Sequence, residues 1–159
     1  MKSSKASSLL RAGAPVAVTA VLGSLATTGI KSPWYQRLDK PGIQPPGWVF
    51  PLVWTALYTS IAISSARVFA SAPDDRRAKD FERRLWVNLA LNTSWSWVFF
   101  RAHQLPAAIA VAATLSASSA DLVRHSRHID AKAAAALAPN SLWCAFATVL
   151  TTAIWRRNR

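Results

Sequence analysis

The side chains best suited to chemistry in this chain are aromatic rings and amides set inside apolar runs. Trp54, Tyr58 and Ile61 fall at i, i+4 and i+7, on one face of a helix. Asn88, Asn92 and Trp95 repeat that spacing. Trp143, Phe146, Ala147 and Leu150 fall at i, i+3, i+4 and i+7. Any one such stripe is also the pattern of ordinary helix–helix packing. An asparagine within an apolar run is more telling, because its amide is costly in hydrocarbon and must find partners. Two asparagines one turn apart beside a tryptophan read in two ways. They are the polar fixers of a mostly apolar ligand cavity, or they are interhelical hydrogen bonds.

Other chemistry is poorly supplied. No Asp, Glu, Lys or Arg lies inside the apolar runs, and no serine–histidine–acid constellation can be assembled. His103, His125 and His128 sit at run ends or in connections. His125 and His128 can share a helical face, but two ligands without a third make no metal site, so no metal and no cofactor are expected. Cys144 is the single cysteine. It excludes an intramolecular disulfide framework, and a lone buried cysteine is usually a small apolar filler. The lack of buried ionisable groups argues against a proton-coupled pump.

The elements that hold these residues follow from where charge is absent. The 159 residues carry a formal net charge of +12, yet only 16% are charged. Residues 12–30, 41–66, 85–100, 102–120 and 133–155 contain no charge at all. A helix needs about 20 apolar residues to cross the hydrocarbon core, and a soluble bundle would carry charge on every outer turn. The reading is an all-α integral membrane protein. It is a single five-transmembrane-helix bundle over residues 1–159, with spans at about 12–30, 46–68, 83–101, 103–122 and 133–155. The first run is long for a signal peptide and lacks a clear cleavage site, so it reads as the first span. No internal repeat is visible.

The basic residues then need no nucleic acid, since they lie in the connections while the tryptophans lie in or at the ends of spans. Membrane lipid is the expected partner of both. Twelve lysines and arginines, Lys2, Arg67 and Arg124 among them, fall on the side of the N-terminal tail, and seven fall on the other. The positive-inside rule places the N-terminus in the cytoplasm.

Between the first two spans the chain reads Trp34-Tyr35-Gln36-Arg37-Leu38-Asp39-Lys40-Pro41, then Pro45-Pro46-Gly47-Trp48-Val49-Phe50. Its prolines and glycines predict an ordered, non-helical connection that delays the second helix to about Pro46. It reads as a rigid interfacial turn with aromatic anchors or as a lid over a pocket.

The run W-Y-x-x-L-x-K-P, followed by P-P-G-W-V-F-x-x-V-W-T-x-L-Y, closely resembles the tryptophan-rich sensory protein (TspO/MBR) family, which includes the mitochondrial translocator protein, or peripheral benzodiazepine receptor. Leu89-Ala90-Leu91-Asn92 with Trp95 and Phe99-Phe100 is similar to that family's third span. Pro139, Trp143 and Ala145-Phe146-Ala147-Thr148 are similar to its fifth. The resemblance covers about residues 12–157. It implies a five-helix bundle, usually a homodimer, in a bacterial cell membrane or the outer mitochondrial membrane; the bacterial membrane is the expectation here. It also implies binding of porphyrins, such as protoporphyrin IX-like tetrapyrroles, and of other hydrophobic small molecules.

By matching positions, the resemblance carries ligand contact onto Trp34, Tyr35, Trp48, Trp54, Asn92, Trp143 and Ala147. Ile43, Asn140 and Thr151 depart from residues common in the family, which changes the pocket mouth and the last helix. The expected function is a receptor or carrier that senses, buffers or transports porphyrins. The alternative is enzyme-like, a light- and oxygen-dependent porphyrin breakdown with Trp54 and Trp143 as redox-active indoles. The segment from Ala147 to Arg156 lacks the tyrosine of the cholesterol motif, so cholesterol is not the expected ligand. Ala90 and Ser94 form one small-xxx-small pair for a dimer contact.

Overall fold

Ser32 and Pro33 correct the expectation of a wholly non-helical first connection. The Ser32 hydroxyl accepts from the Tyr35 backbone N–H at 3.2 Å, and Pro33 occupies the first turn, where its missing N–H is not needed. A five-residue helix results. The computed structural model describes residues 5–159. In chain order, α1 spans Lys5–Thr27, a 3-10 turn covers Thr28–Lys31, and α2 spans Pro33–Arg37. Then follow α3 (Val49–Ser71), α4 (Asp75–Phe100), α5 (Leu105–Arg127) and α6 (Ala131–Arg157). No strand occurs among the described residues. Lys2, counted above with the tail, lies outside them. The helix after the Pro45-Pro46 pair begins at Val49, three residues later than the prolines suggest, because Gly47 and Trp48 form a turn.

Four helices are long and apolar enough to cross a membrane: α1 with its 3-10 extension, α3, α5 and α6. The fifth expected span falls within α4, whose composition is mixed. Its first ten residues, from Asp75 to Arg84, include eight charged side chains. Its apolar part, from Leu85 to Phe100, is 16 residues, or about 24 Å of helix. Caps set the starts of α4 and α6: Asp74 accepts from Arg77 N–H at 2.7 Å, and Asp130 from Ala133 N–H at 3.0 Å.

Around the bundle the helices run α1, α3, α6, α5, α4, each packed on the next and α4 closing on α1. Across the ring, α3 and α4 barely meet. Two apolar clusters fill it. Toward the N-terminal tail, Ala12, Val16, Ile61, Phe69, Phe81, Leu85, Leu122 and Leu137 are buried together. Toward the opposite end, Tyr35, Trp95, Phe99, Phe100, Leu105, Leu150 and Ile154 form the second cluster, to which α1 contributes no side chain.

Apolar burial does not drive helix association in lipid, so polar links carry weight. Asn88 on α4 donates to Ser119 on α5 at 2.9 Å, and Asn140 on α6 donates to the same hydroxyl at 3.1 Å. All three are at most 2% exposed. At the tail end, Arg11 pairs with Glu82, and Arg84 bridges Asp80 and Asp121. His125 lies half-buried, its Nε2 3.4 Å from Asp80.

Candidate functional site

A cavity of about 420 Å³ lies among α1, α3 and α4 on the side away from the tail. Its wall is built in helical steps. From α1 come Ala20, Gly23, Ser24 and Thr27; from α3, Phe50, Trp54 and Tyr58; from α4, Trp95, Ser96 and Phe100. The small residues of α1 make the space. A Cβ on Gly23 would sit 3.4 Å from the Tyr58 hydroxyl and 3.8 Å from Ser96 Oγ. Volume and lining match a small-ligand site, which is typically 300–1,000 Å³ and mainly apolar.

A second, much smaller cavity of about 30 Å³ lies among α3, α4 and α6. Trp143, Phe146, Ala147, Leu150 and Thr151 border it. Tyr35, Phe50, Trp54, Trp95 and Phe100 border both spaces and form the partition between them. The rings hold one another. Trp54 stacks on Tyr58 at 5.5 Å, Trp95 stacks on Phe99 at 5.4 Å, and Trp143 meets Phe50 edge-on at 6.0 Å.

The polar groups are sparse. The Tyr58 hydroxyl donates to Asn92 Oδ1 at 2.8 Å. Asn92 Nδ2 and the Trp95 indole N–H are buried with no hydrogen-bond partner among the described residues. Both are donors, so the wall beside the cavity presents unmet demand for an acceptor. Gln44 donates to the Tyr35 hydroxyl at 3.4 Å, while its own Oε1 is buried without a partner. Burial pushes the Tyr35 phenol up from its ordinary range.

The segment between α1 and α3 covers this end of the bundle and is pinned there. Lys40 Nζ donates to the Tyr35 carbonyl at 2.8 Å and lies 4.7 Å from the centre of the Tyr35 ring. Asp39 pairs with Arg157 at 3.2 Å. Asn158 exchanges two hydrogen bonds with the Asp39 backbone, at 2.9 and 3.0 Å.

The structure thus gathers Tyr35, Trp54, Tyr58, Trp95, Trp143, Phe146 and Ala147 at the two cavities. It places four other candidates elsewhere. Trp34 stacks on His103 at 4.1 Å behind Phe99. Trp48 is 69% exposed at the start of α3. Asn88 belongs to the knot with Ser119 rather than to a cavity, and Asn92 sits behind the wall, holding Tyr58. Of the departures from the family pattern, Ile43 is exposed and borders neither space. Asn140 is tied to Ser119, and Thr151 donates to the Ala147 carbonyl at 2.7 Å beside the small cavity. The α1 wall was missed in the sequence. Its signal is the small-residue stripe Ala20, Gly23, Ser24 and Thr27 at i, i+3, i+4 and i+7.

Comparison with known proteins bears on the same residues. Protein CrtK of Rhodobacter capsulatus is 34% identical over 84% of this chain and 84% of its own length. The tryptophan-rich sensory protein of Cereibacter sphaeroides is 34% identical over 87% of each. The human translocator protein is 31% identical over 86% of this chain and 82% of its own. The model of the TspO/MBR family matches residues 12–156 and so takes in both cavities, and this multi-pass membrane protein belongs to that family.

Proposed function

We propose that the chain is a membrane receptor or carrier for porphyrins of the protoporphyrin IX type and similar lipophiles, held in the cavity among α1, α3 and α4. One observation carries the reading: an apolar space of about 420 Å³ faced by Trp54, Tyr58, Trp95 and Phe100. Indole and phenyl faces stack on a flat macrocycle, and the unpartnered Trp95 N–H is a donor for its polar substituents. The smaller cavity lies behind the Trp54 partition and is bordered by Trp143.

In this reading α4 is the fifth membrane span, and the N-terminus faces the cytoplasm of a bacterial cell, as the distribution of basic residues supports. The functional unit is a homodimer. Ala90 and Ser94 lie exposed on the outer face of α4, and the Ser94 hydroxyl is satisfied by the Ala90 carbonyl at 2.7 Å, so a second helix can approach closely there.

The second reading, light- and oxygen-dependent porphyrin breakdown, draws on Trp54 and Trp143 bordering the same small cavity. Purified protein with protoporphyrin IX separates the two. Saturable quenching of tryptophan fluorescence without pigment loss supports the receptor. Bleaching under light that disappears in Trp54→Phe or Trp143→Phe supports breakdown. Absence of saturable quenching overturns the binding reading.

A further inference from the structure

The larger cavity opens where its lining residues are exposed. On α4, Trp95, Ser96 and Phe100 are buried. On α1 and α3, Ser24, Pro51 and Thr55 line the same space and are exposed, as is Gly47 in the turn just before α3. The opening therefore lies between α1 and α3. Its cause is visible in how α1 is held. In the tail half α1 packs through Ala12 and Val16 into the cluster that contains Ile61 and Phe69 of α3. At its other end α1 is drawn to α4 instead. Arg101 donates to the Leu25 carbonyl at 2.9 Å and to Thr28 Oγ1 at 2.8 Å, and Gly29 sits directly against the Phe100 backbone. The exposed lining between the two helices at that end is the mouth of the cavity.

The surroundings of this mouth are apolar. Leu22 and Leu25 on α1 and Leu52 on α3 are 40%, 51% and 62% exposed on the outer surface of the two helices. Ser24 and Thr55 present no free hydroxyl there, because Ser24 donates to the Val21 carbonyl and Thr55 to the Pro51 carbonyl, both at 2.8 Å. Thr55 lies six residues inside α3, about 9 Å along the helix from its first residue. The end that faces the bulk, by contrast, is covered by the segment pinned through Lys40, Asp39 and Arg157.

We propose that the gap between α1 and α3 is a lateral window through which the cavity communicates with the bilayer. Acyl chains and membrane-dissolved lipophiles pass between Ser24 and Thr55. The inference rests on the proposed ligand reading only for the identity of the cargo.

A phosphatidylcholine carrying a diazirine near the end of one acyl chain, in nanodiscs holding the full-length protein, tests the window without any porphyrin. Photolysis and peptide mass spectrometry should find adducts on Tyr58 inside the cavity as well as on Leu52 outside it. In the double variant Ser24→Phe, Thr55→Leu, the Tyr58 adduct should fall by about tenfold while the Leu52 adduct persists and the unfolding temperature stays that of the wild type, which reports that the variant is folded. Wild-type adducts confined to Leu22, Leu25 and Leu52 would overturn the proposal. With protoporphyrin IX as a second probe, the same double variant should slow association and dissociation together, by about tenfold each. Unchanged rates in a variant that still binds would also overturn the window. Failure of the wild type to bind the porphyrin would defeat the ligand reading alone, because the lipid adducts decide the route independently.

Discussion

The hydroxyl of Tyr58 on α3 donates to Asn92 on α4 at 2.8 Å, joining two helices that otherwise barely touch. Each side chain gives the other its place: the bond turns the Tyr58 ring toward Trp54 and leaves the Asn92 amide nitrogen free. Tyr58→Phe keeps the ring and removes the bond. It is expected to lower stability by about 0.5–1.5 kcal/mol, read as a lower unfolding temperature in mild detergent. An unchanged midpoint would show that the bond is idle.

The two cavities predict unequal roles for the tryptophans. Trp54 borders both, Trp143 only the small one, and Trp86 is 54% exposed on the outside of α4. Trp54→Ala should weaken protoporphyrin IX binding by about 1–3 kcal/mol, the scale of one stacking contact on an aromatic platform. Trp143→Ala should weaken it by a comparable or smaller amount, and Trp86→Ala should leave it unchanged. Equal losses in all three, measured by a porphyrin absorbance titration, would mean global destabilisation.

Gly23 sets the volume of the larger cavity. A methyl group there reaches ordinary contact with Tyr58, so Gly23→Ala should bind nearly as the wild type does. Gly23→Leu should occupy the space and lower porphyrin affinity by about tenfold, or 1.4 kcal/mol, with little change in unfolding temperature. A loss of folding rather than of affinity would place the side chain in the α1 packing instead.

Gly29 answers to a different constraint. A Cβ at this position would lie 2.6 Å from the Phe100 carbonyl oxygen, and that atom belongs to the backbone. Gly29→Ala must push the 3-10 turn away from α4, at a cost of about 1–3 kcal/mol. Thermal unfolding should show the loss, and a stability equal to wild type would contradict the close approach.

Asp130 gives a pH dependence with a defined sign. The Ala133 N–H first, and the Arg67 guanidinium next, hold its carboxyl below the usual aspartate range. A depressed folded value means the stabilisation is present above the unfolded value, about 3.9, and fades as pH falls through the folded one. Asp130→Asn should therefore flatten the acid limb of stability against pH in detergent-solubilised protein. An acid limb identical to wild type would remove Asp130 from it.

Most of the helical architecture was legible because membrane helices announce themselves by missing charge. The runs that became α1, α3, α5 and α6 contain almost nothing else that could mark them. Within α4 the eight charged residues of its first ten belong to the same helix as Asn92 and Trp95, so charge alone could not place its start. Helix α2 hid among prolines, although the Ser32-Pro33 pair is a cap signal. At the site, ring and amide periodicity found Trp54, Tyr58 and Trp95. It could not separate the two asparagines, since the fate of Asn88 depends on Ser119, 31 residues away on another helix. The α1 wall escaped notice because absent side chains, not present ones, shape it.

The knot of Asn88, Ser119 and Asn140 makes the molecule mechanically lopsided. Three helices, α4, α5 and α6, share one buried hydroxyl and form a tied chassis. Helix α3 meets that chassis along α6 and, on the α4 side, mainly through a single phenol, while α1 is tied to α4 by Arg11–Glu82 near its start and by Arg101 at Leu25 and Thr28 near its end. The expected response to a guest is outward travel of α1 and α3 rather than a shift within the tied helices. Backbone amides in the loop-side halves of those two helices exchange with solvent deuterium soonest, and those around the knot exchange last.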